Sequence, residues 1–206
     1  IYVRNAVNTT IGGGTPAKGN IVGYNHFNGI RLFKPNTVDT TIQNNFVGVT
    51  PDGEMIANEA DGISIDGAAP TLVQENTVSG NGGYGIAVSN ISETTLRRGN
   101  RPLSLINLKL LGNIIGIVKT AVGGTLAAPN GLGGSKFSDV IGGAIGEIAN
   151  ASLKNVFAAN NGPGLEMLRC ANMKIFGSFF GTDPSGTSGI GNVGPGVKVS
   201  ESTLTE

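Results

Sequence analysis

The stretch Asn25-His26-Phe27-Asn28-Gly29-Ile30-Arg31-Leu32 decides how this chain is read. Its frame is an Asn, three residues, a Gly and then an apolar–any–apolar triplet. The frame returns as Asn58…Gly62-Ile63-Ser64-Ile65 and as Asn81…Gly85-Ile86-Ala87-Val88. It returns again as Asn160…Gly164-Leu165-Glu166-Met167 and Asn192…Gly196-Val197-Lys198-Val199, with a degraded copy at Asn130…Gly134-Ser135-Lys136-Phe137. Successive asparagines lie 33, 23, 49, 30 and 32 residues apart. Self-similarity at such periods is the signature of a repeat architecture.

A second pattern lies between these copies. Thr41-Ile42-Gln43-Asn44-Asn45-Phe46-Val47-Gly48-Val49-Thr50-Pro51-Asp52-Gly53 matches the run from Lys174 to Gly186 at a constant offset of 133, with five identities. Leu110 to Gly116 reads as a third copy, and Ile11-Gly12-Gly13 recurs as Ile141-Gly142-Gly143. The order is a short turn and a long turn, three times over, or about six coils. The spacing of 49 marks a normal turn plus an inserted loop at 91–107.

Composition agrees with this organisation. The 206 residues include 34 Gly and 22 Asn, 5% are aromatic and none is Trp. Gly and Asn tolerate left-handed backbone and sharp turns, whereas each Gly inside a helix costs about 1 kcal/mol. A helical bundle is therefore excluded. The apolar runs are far shorter than the roughly 20 residues of a membrane span. Fourteen basic residues balance fourteen acidic ones, which removes the electrostatic case for nucleic acid or an anionic membrane. The single Cys170 excludes an internal disulfide framework.

Apolar–polar–apolar segments have the period of strands, and segments this short cannot fold alone. Stacking equivalent strands from successive coils, about 4.8 Å apart, pairs every backbone and buries Ile, Val, Leu and Phe in one continuous core. The pattern predicts an all-β, right-handed parallel β-helix spanning 1–206 as a single domain. A left-handed helix would demand a strict hexapeptide period, which is absent; a β-sandwich is the alternative fold. In the helix, Asn25, Asn58, Asn81, Asn130, Asn160 and Asn192 form a ladder of side-chain amides, and the recurrent Gly makes the corner before each strand. Ile1-Tyr2-Val3 reads as the triplet of a coil already begun, and Ser202-Thr203-Leu204 as the opening of another. The expectation is an excerpt of a longer solenoid, or a subunit that associates with itself end to end or laterally.

Ile11-Gly12-Gly13, Gly181-Thr182-Asp183-Pro184-Ser185-Gly186-Thr187 and Gly191-Asn192…Gly196-Val197-Lys198-Val199 resemble the right-handed parallel β-helix repeats of bacterial secreted and surface proteins, a group similar to the pectate-lyase-like superfamily. The resemblance covers nearly the whole chain, apart from the insertion. It implies an extracellular or cell-surface location and a role as stalk, fibre, adhesin or surface-display module. Its alternative is a lyase or hydrolase acting on, or a module binding, acidic polysaccharide. The same coils serve enzymes and non-enzymes, so fold does not choose between them.

The catalytic candidates are Asp52, Asp61, Asp66 and Arg31. Pectate-lyase-like enzymes typically combine acidic Ca²⁺ ligands with a basic residue, so Ca²⁺ enters only under the lyase alternative; no other cofactor is expected. Hydrolases use paired acids, one kept protonated. Against this, Thr50-Pro51-Asp52-Gly53 reads as a β-turn, and its counterpart Asp183-Pro184-Ser185-Gly186 has the same turn with different acids. His26 is the only histidine, which argues for a solvated corner and against zinc. The outward column Arg31, Ser64, Ala87, Lys136, Glu166 and Lys198 places Glu166 between two lysines, as a charge ladder would. Candidate contacts for a sugar or a partner are Tyr24 and Tyr84 beside the corners, and Arg97, Arg98 and Arg101 in the insertion.

Overall fold

A computed structural model describes residues 1–33, 36–89, 104–120, 123–147 and 153–202, the side chains of 104–106 excepted. Three parallel sheets run along one axis. The first contains β1 (Tyr2–Arg4), β4 (Ile30–Phe33), β7 (Ile63–Asp66), β10 (Tyr84–Ser89), β15 (Gly133–Ser138), β18 (Leu165–Leu168) and β21 (Val197–Ser200), in that order. The second contains β2 (Thr10–Gly12), β5 (Thr40–Gln43), β8 (Thr71–Gln74), β11 (Ser104–Leu111), β16 (Val140–Ile145) and β19 (Ala171–Ile175). The third contains β3 (Ile21–Val22), β6 (Phe46–Val47), β9 (Thr77–Val78), β12 (Ile114–Ile115), β17 (Val156–Phe157) and β20 (Phe179–Phe180). Each coil adds one strand to every sheet. The result is a parallel β-helix of six coils, with β21 opening a seventh.

Register explains the core. Inside the first sheet Leu32, Ile65, Val88, Phe137, Met167 and Val199 follow one another, and inside the second Ile11, Ile42, Val73, Leu110, Ile145 and Ile175. The third contributes Val22, Val47, Val78, Ile115, Phe157 and Phe180. Phe157 and Phe180 stack with centroids 5.0 Å apart and planes 5° from parallel. Nearly all these side chains belong to one buried cluster; each contributes roughly 1.5–3 kcal/mol. Ser135 takes an inward position that holds Ile in three earlier coils, and its buried hydroxyl has no hydrogen-bond partner among the described residues. That is the physical content of the degraded copy.

The asparagines stack. Asn25, Asn58, Asn81, Asn130 and Asn160 each donate from Nδ2 to Oδ1 of the next Asn, at 2.6, 2.8, 3.1, 2.9 and 2.9 Å, ending on Asn192. A second ladder, which the sequence reading does not contain, runs Asn20, Asn45, Asn76, Asn113 and Asn155 with links of 2.9, 2.9, 3.1 and 3.0 Å. In the sixth coil Ser178 takes its place, donating to Phe176 O at 2.9 Å. The signal for it was an Asn followed by two strand formers, as in Asn45-Phe46-Val47, Asn113-Ile114-Ile115 and Asn155-Val156-Phe157. Asn44, Glu75, Gly112 and Gly177, which precede the ladder residues, have positive φ and turn the chain between the second and third sheets.

Three details differ from the sequence reading. The recurrent glycines Gly29, Gly62, Gly85, Gly134, Gly164 and Gly196 do not have positive φ. They are required for space: a Cβ on Gly62 would lie 2.7 Å from Asn81 Nδ2 and 2.8 Å from Gly85 O. Ile141-Gly142-Gly143 is not the structural equivalent of Ile11-Gly12-Gly13, because the register carries Ile11 to Ile145. Ile141 pairs instead with Leu105, before the register shift between Leu105 and Leu108 in β11. Finally, residues 104–107 of the assigned insertion belong to β11.

Long and short coils alternate through hairpins. Ile56, Ala128 and Ile190 donate to Gly48 O, Gly116 O and Gly181 O at 2.8, 2.9 and 2.8 Å, closing excursions in the second, fourth and sixth coils. At their tips the N–H groups of Gly53, Gly123 and Gly186 reach the carbonyls of Thr50, Thr120 and Asp183. The fourth-coil hairpin pairs β13 (Ile117–Lys119) with β14 (Thr125–Ala127). In the short coils, Tyr24, Gly80 and Ala159 have positive φ and donate back to Ile56, Ala128 and Ile190. The hairpins also cover the apolar outer face of the third sheet, with Phe46 against Val49, Val118 and Ala128. Among the described residues no helix is long and apolar enough to cross a membrane.

Candidate functional site

The outer face of the first sheet gathers most of the charged candidates. Every second residue of a strand points outward, so the strands align Arg31, Ser64, Ala87, Lys136, Glu166 and Lys198 in one column, in register. Beside it run Phe33, Asp66, Ser89 and Ser138.

Two carboxylates organise this face. Asp66 is buried and accepts from Arg31 Nε at 2.9 Å, from Ser89 Oγ at 2.7 Å and from Ser64 Oγ at 3.5 Å. Arg31 Nη2 lies 2.9 Å from the same Asp66 oxygen, and the guanidinium covers the Phe33 ring at 4.6 Å. Glu166 accepts from Lys198 Nζ at 2.8 Å and from the Tyr84 hydroxyl at 2.7 Å, with Lys136 Nζ at 3.7 Å. The Lys198 hydrogen bond, then that of Tyr84 and the charge of Lys136, hold the Glu166 carboxyl below its usual range despite partial burial. Burial and the neighbouring Glu166 push the Tyr84 phenol upward.

Asp61 lies at the corner before β7 and accepts the Tyr84 backbone N–H at 2.8 Å. Burial raises its carboxyl above the usual range; the Tyr84 N–H opposes this and the charge of Asp66 adds to it. Asp61, Asp66 and Arg31 therefore share this region of the molecule. Asp52 does not join them: it is exposed at the tip of the second-coil hairpin, beyond β6. Among the described residues no three His, Cys, Asp or Glu side chains gather as a metal-ligand set.

The other candidates separate clearly. Tyr24 is 74% exposed at a short-coil corner. Tyr84 has its hydroxyl on Glu166 and Lys136 Nζ 5.3 Å from its ring centroid, so neither ring face nor hydroxyl is simply open to solvent. His26 is exposed with Nδ1 2.7 Å from Glu59 Oε1. Arg97, Arg98 and Arg101 lie outside the described residues. The sequence reading does not contain the tie of Arg169 to Asp139 at 2.7 and 3.0 Å, which joins the fifth and sixth coils.

Chemically, the face is a set of charges satisfied by one another across coils. Asp61 is the carboxyl on it that burial holds above the usual range.

The fold places the chain among parallel β-solenoids. Comparison with protein-family models, with curated proteins and with solved structures found no match.

Proposed function

We propose that the protein is a structural and adhesive β-solenoid module, a stalk, fibre or surface-display repeat, at the cell surface or outside the cell. One observation carries this reading: two side-chain amide ladders and three parallel sheets continue through the coils. Six steps of about 4.8 Å make a rod of roughly 29 Å whose axial hydrogen bonds are internal. Such a rod resists bending and tolerates loops thrown out sideways. The charges of the first sheet support the same reading, because they tie coil to coil. The resemblance to bacterial secreted and surface repeats of the pectate-lyase-like group supports the location. The partners of such a module are further copies of itself, end to end or side by side, or a surface polysaccharide. Electron microscopy of the native material tests this: rods or fibres are expected, and isolated compact particles would refute it.

A second reading, an enzyme or binding module for acidic polysaccharide, draws on the shared location of Asp61, Asp66 and Arg31. Asp61, whose carboxyl burial holds above the usual range, is suited to give a proton, while Arg31, Ser64 and Ser89 orient the Asp66 carboxylate beside it. Release of unsaturated product from pectate or alginate, with and without Ca²⁺, tests it. Activity abolished by Asp61→Ala would place this reading first.

A further inference from the structure

The second sheet has an open groove of about 340 Å³ on its outer side. Two rows of residues build it. Asp39, Pro70 and Asn107 occupy one position in three successive coils; Thr41, Leu72 and Lys109 occupy the position two residues further on. The rows are separated by about 6.7 Å along the strands, and the outer coils by about 9.6 Å along the axis. The middle coil is thus apolar, with Pro70 beside Leu72. Its two rims are polar, with Asp39 and Thr41 on one and Asn107 and Lys109 on the other.

The rims are free to bind. Elsewhere ion pairs join successive coils, as in Arg31–Asp66, Arg169–Asp139 and Lys198–Glu166. Here Pro70, with neither N–H nor charge, follows Asp39, and Leu72 precedes Lys109. Among the described residues neither Asp39 nor Lys109 has an ion-pair partner.

We propose that this groove binds a neutral pyranose unit of a glycan. A pyranose has an apolar C–H face and a rim of hydroxyls that both donate and accept. The face lies on Pro70 and Leu72. On one side hydroxyls donate to the Asp39 carboxylate; on the other they accept from the Lys109 ammonium and meet the Asn107 amide. Asp39 opposes a uronate, so the ligand class differs from the acidic polysaccharide of the second functional reading. The inference does not depend on either functional reading.

Saturation-transfer NMR on the full chain with cellotriose, maltotriose, tri-N-acetylchitotriose and trigalacturonate tests it. The expected result is transfer to a neutral trisaccharide, with affinity lowered at least tenfold by Asp39→Ala and by Lys109→Ala. Lys109 is exposed, so Lys109→Ala should leave thermal melting unchanged; Asp39 has a φ of +52°, where Ala is strained, so Asp39→Asn, which tolerates that backbone, is the paired variant that should lose affinity at unchanged melting. Absence of transfer to all three neutral sugars would overturn the proposal. So would neutral binding that survives both substitutions, or transfer to trigalacturonate alone.

Discussion

Tyr84 of the fourth coil donates its hydroxyl hydrogen to Glu166 of the sixth at 2.7 Å, passing over Gly133 of the fifth. A Cβ on Gly133 would stand 2.9 Å from the Tyr84 ring, so the fifth coil is bare where the phenol crosses it. The bond spans two coil spacings, and with Lys136 and Lys198 it binds four coils around one carboxylate.

Tyr84→Phe therefore removes one donor from a charged acceptor, a change worth about 1.5–3 kcal/mol. Urea denaturation should show that loss, and NMR titration should show the Glu166 carboxyl moving back up towards its ordinary range. A loss of stability without movement of Glu166 would mean that the hydroxyl acts through packing alone.

The same carboxyl gives a pH dependence. Because folding lowers its pKa, its stabilisation is fully present above the unfolded value of about 4.3 and disappears as pH falls through the lower folded value. Glu166→Gln should be less stable than the wild type at pH 7, and the difference should shrink on acidification. Urea midpoints measured between pH 7 and 3 check this.

Asp61 has the opposite sign. Its pKa is raised in the folded protein, so ionisation opposes folding above the unfolded value of about 3.9. Asp61→Asn keeps an oxygen for the Tyr84 N–H and should stabilise the protein at pH 7. The gain should vanish below about pH 3, where both carboxyls are neutral. Paired melting curves at the two pH values decide the matter; a destabilised variant at pH 7 would contradict it.

The ladder should be strongest in its middle. Asn81 donates to Asn130, Val47 O and Ser79 O and accepts from Asn58, all within the interior. Asn81→Ala leaves several buried groups unpaired, at about 1–3 kcal/mol each. Asn25, half-buried at one end, has fewer such dependants, and Asn25→Ala should cost clearly less. Equal losses in denaturation experiments would argue against a cooperative ladder.

Gly116 and Gly189 form a matched pair at one hairpin corner and one open loop. At Gly116, φ is +91° and a Cβ would collide with Ala158 O and come within 2.6 Å of Asn160 Oδ1. At Gly189 nothing lies within 4 Å of a Cβ. Gly116→Ala should cost more than about 1 kcal/mol, while Gly189→Ala should fall within about 0.5 kcal/mol of the wild type. Thermal melting of the two variants separates them.

The sequence by itself determined the architecture. A ladder needs the same side chain at the same place in every coil, so Asn-x-x-x-Gly survives changes in loop length and remains visible in a linear reading. The outward column from Arg31 to Lys198 followed from the same frame, because alternation along a strand is local. What only the tertiary structure decided depends on height along the axis. Tyr84 meets Glu166, and Ser89 meets Asp66, only because coils of unequal length stack at one fixed spacing. Ile11 aligns with Ile145, although Ile141-Gly142-Gly143 looks like its copy, because pairing through Ile42, Val73 and Leu110 sets the register. The side chains of Pro70 and Leu72 become the floor of a groove only when neighbouring coils set polar residues on either side. Sequence period fixes which residue types recur; the stacking of coils fixes which of them touch.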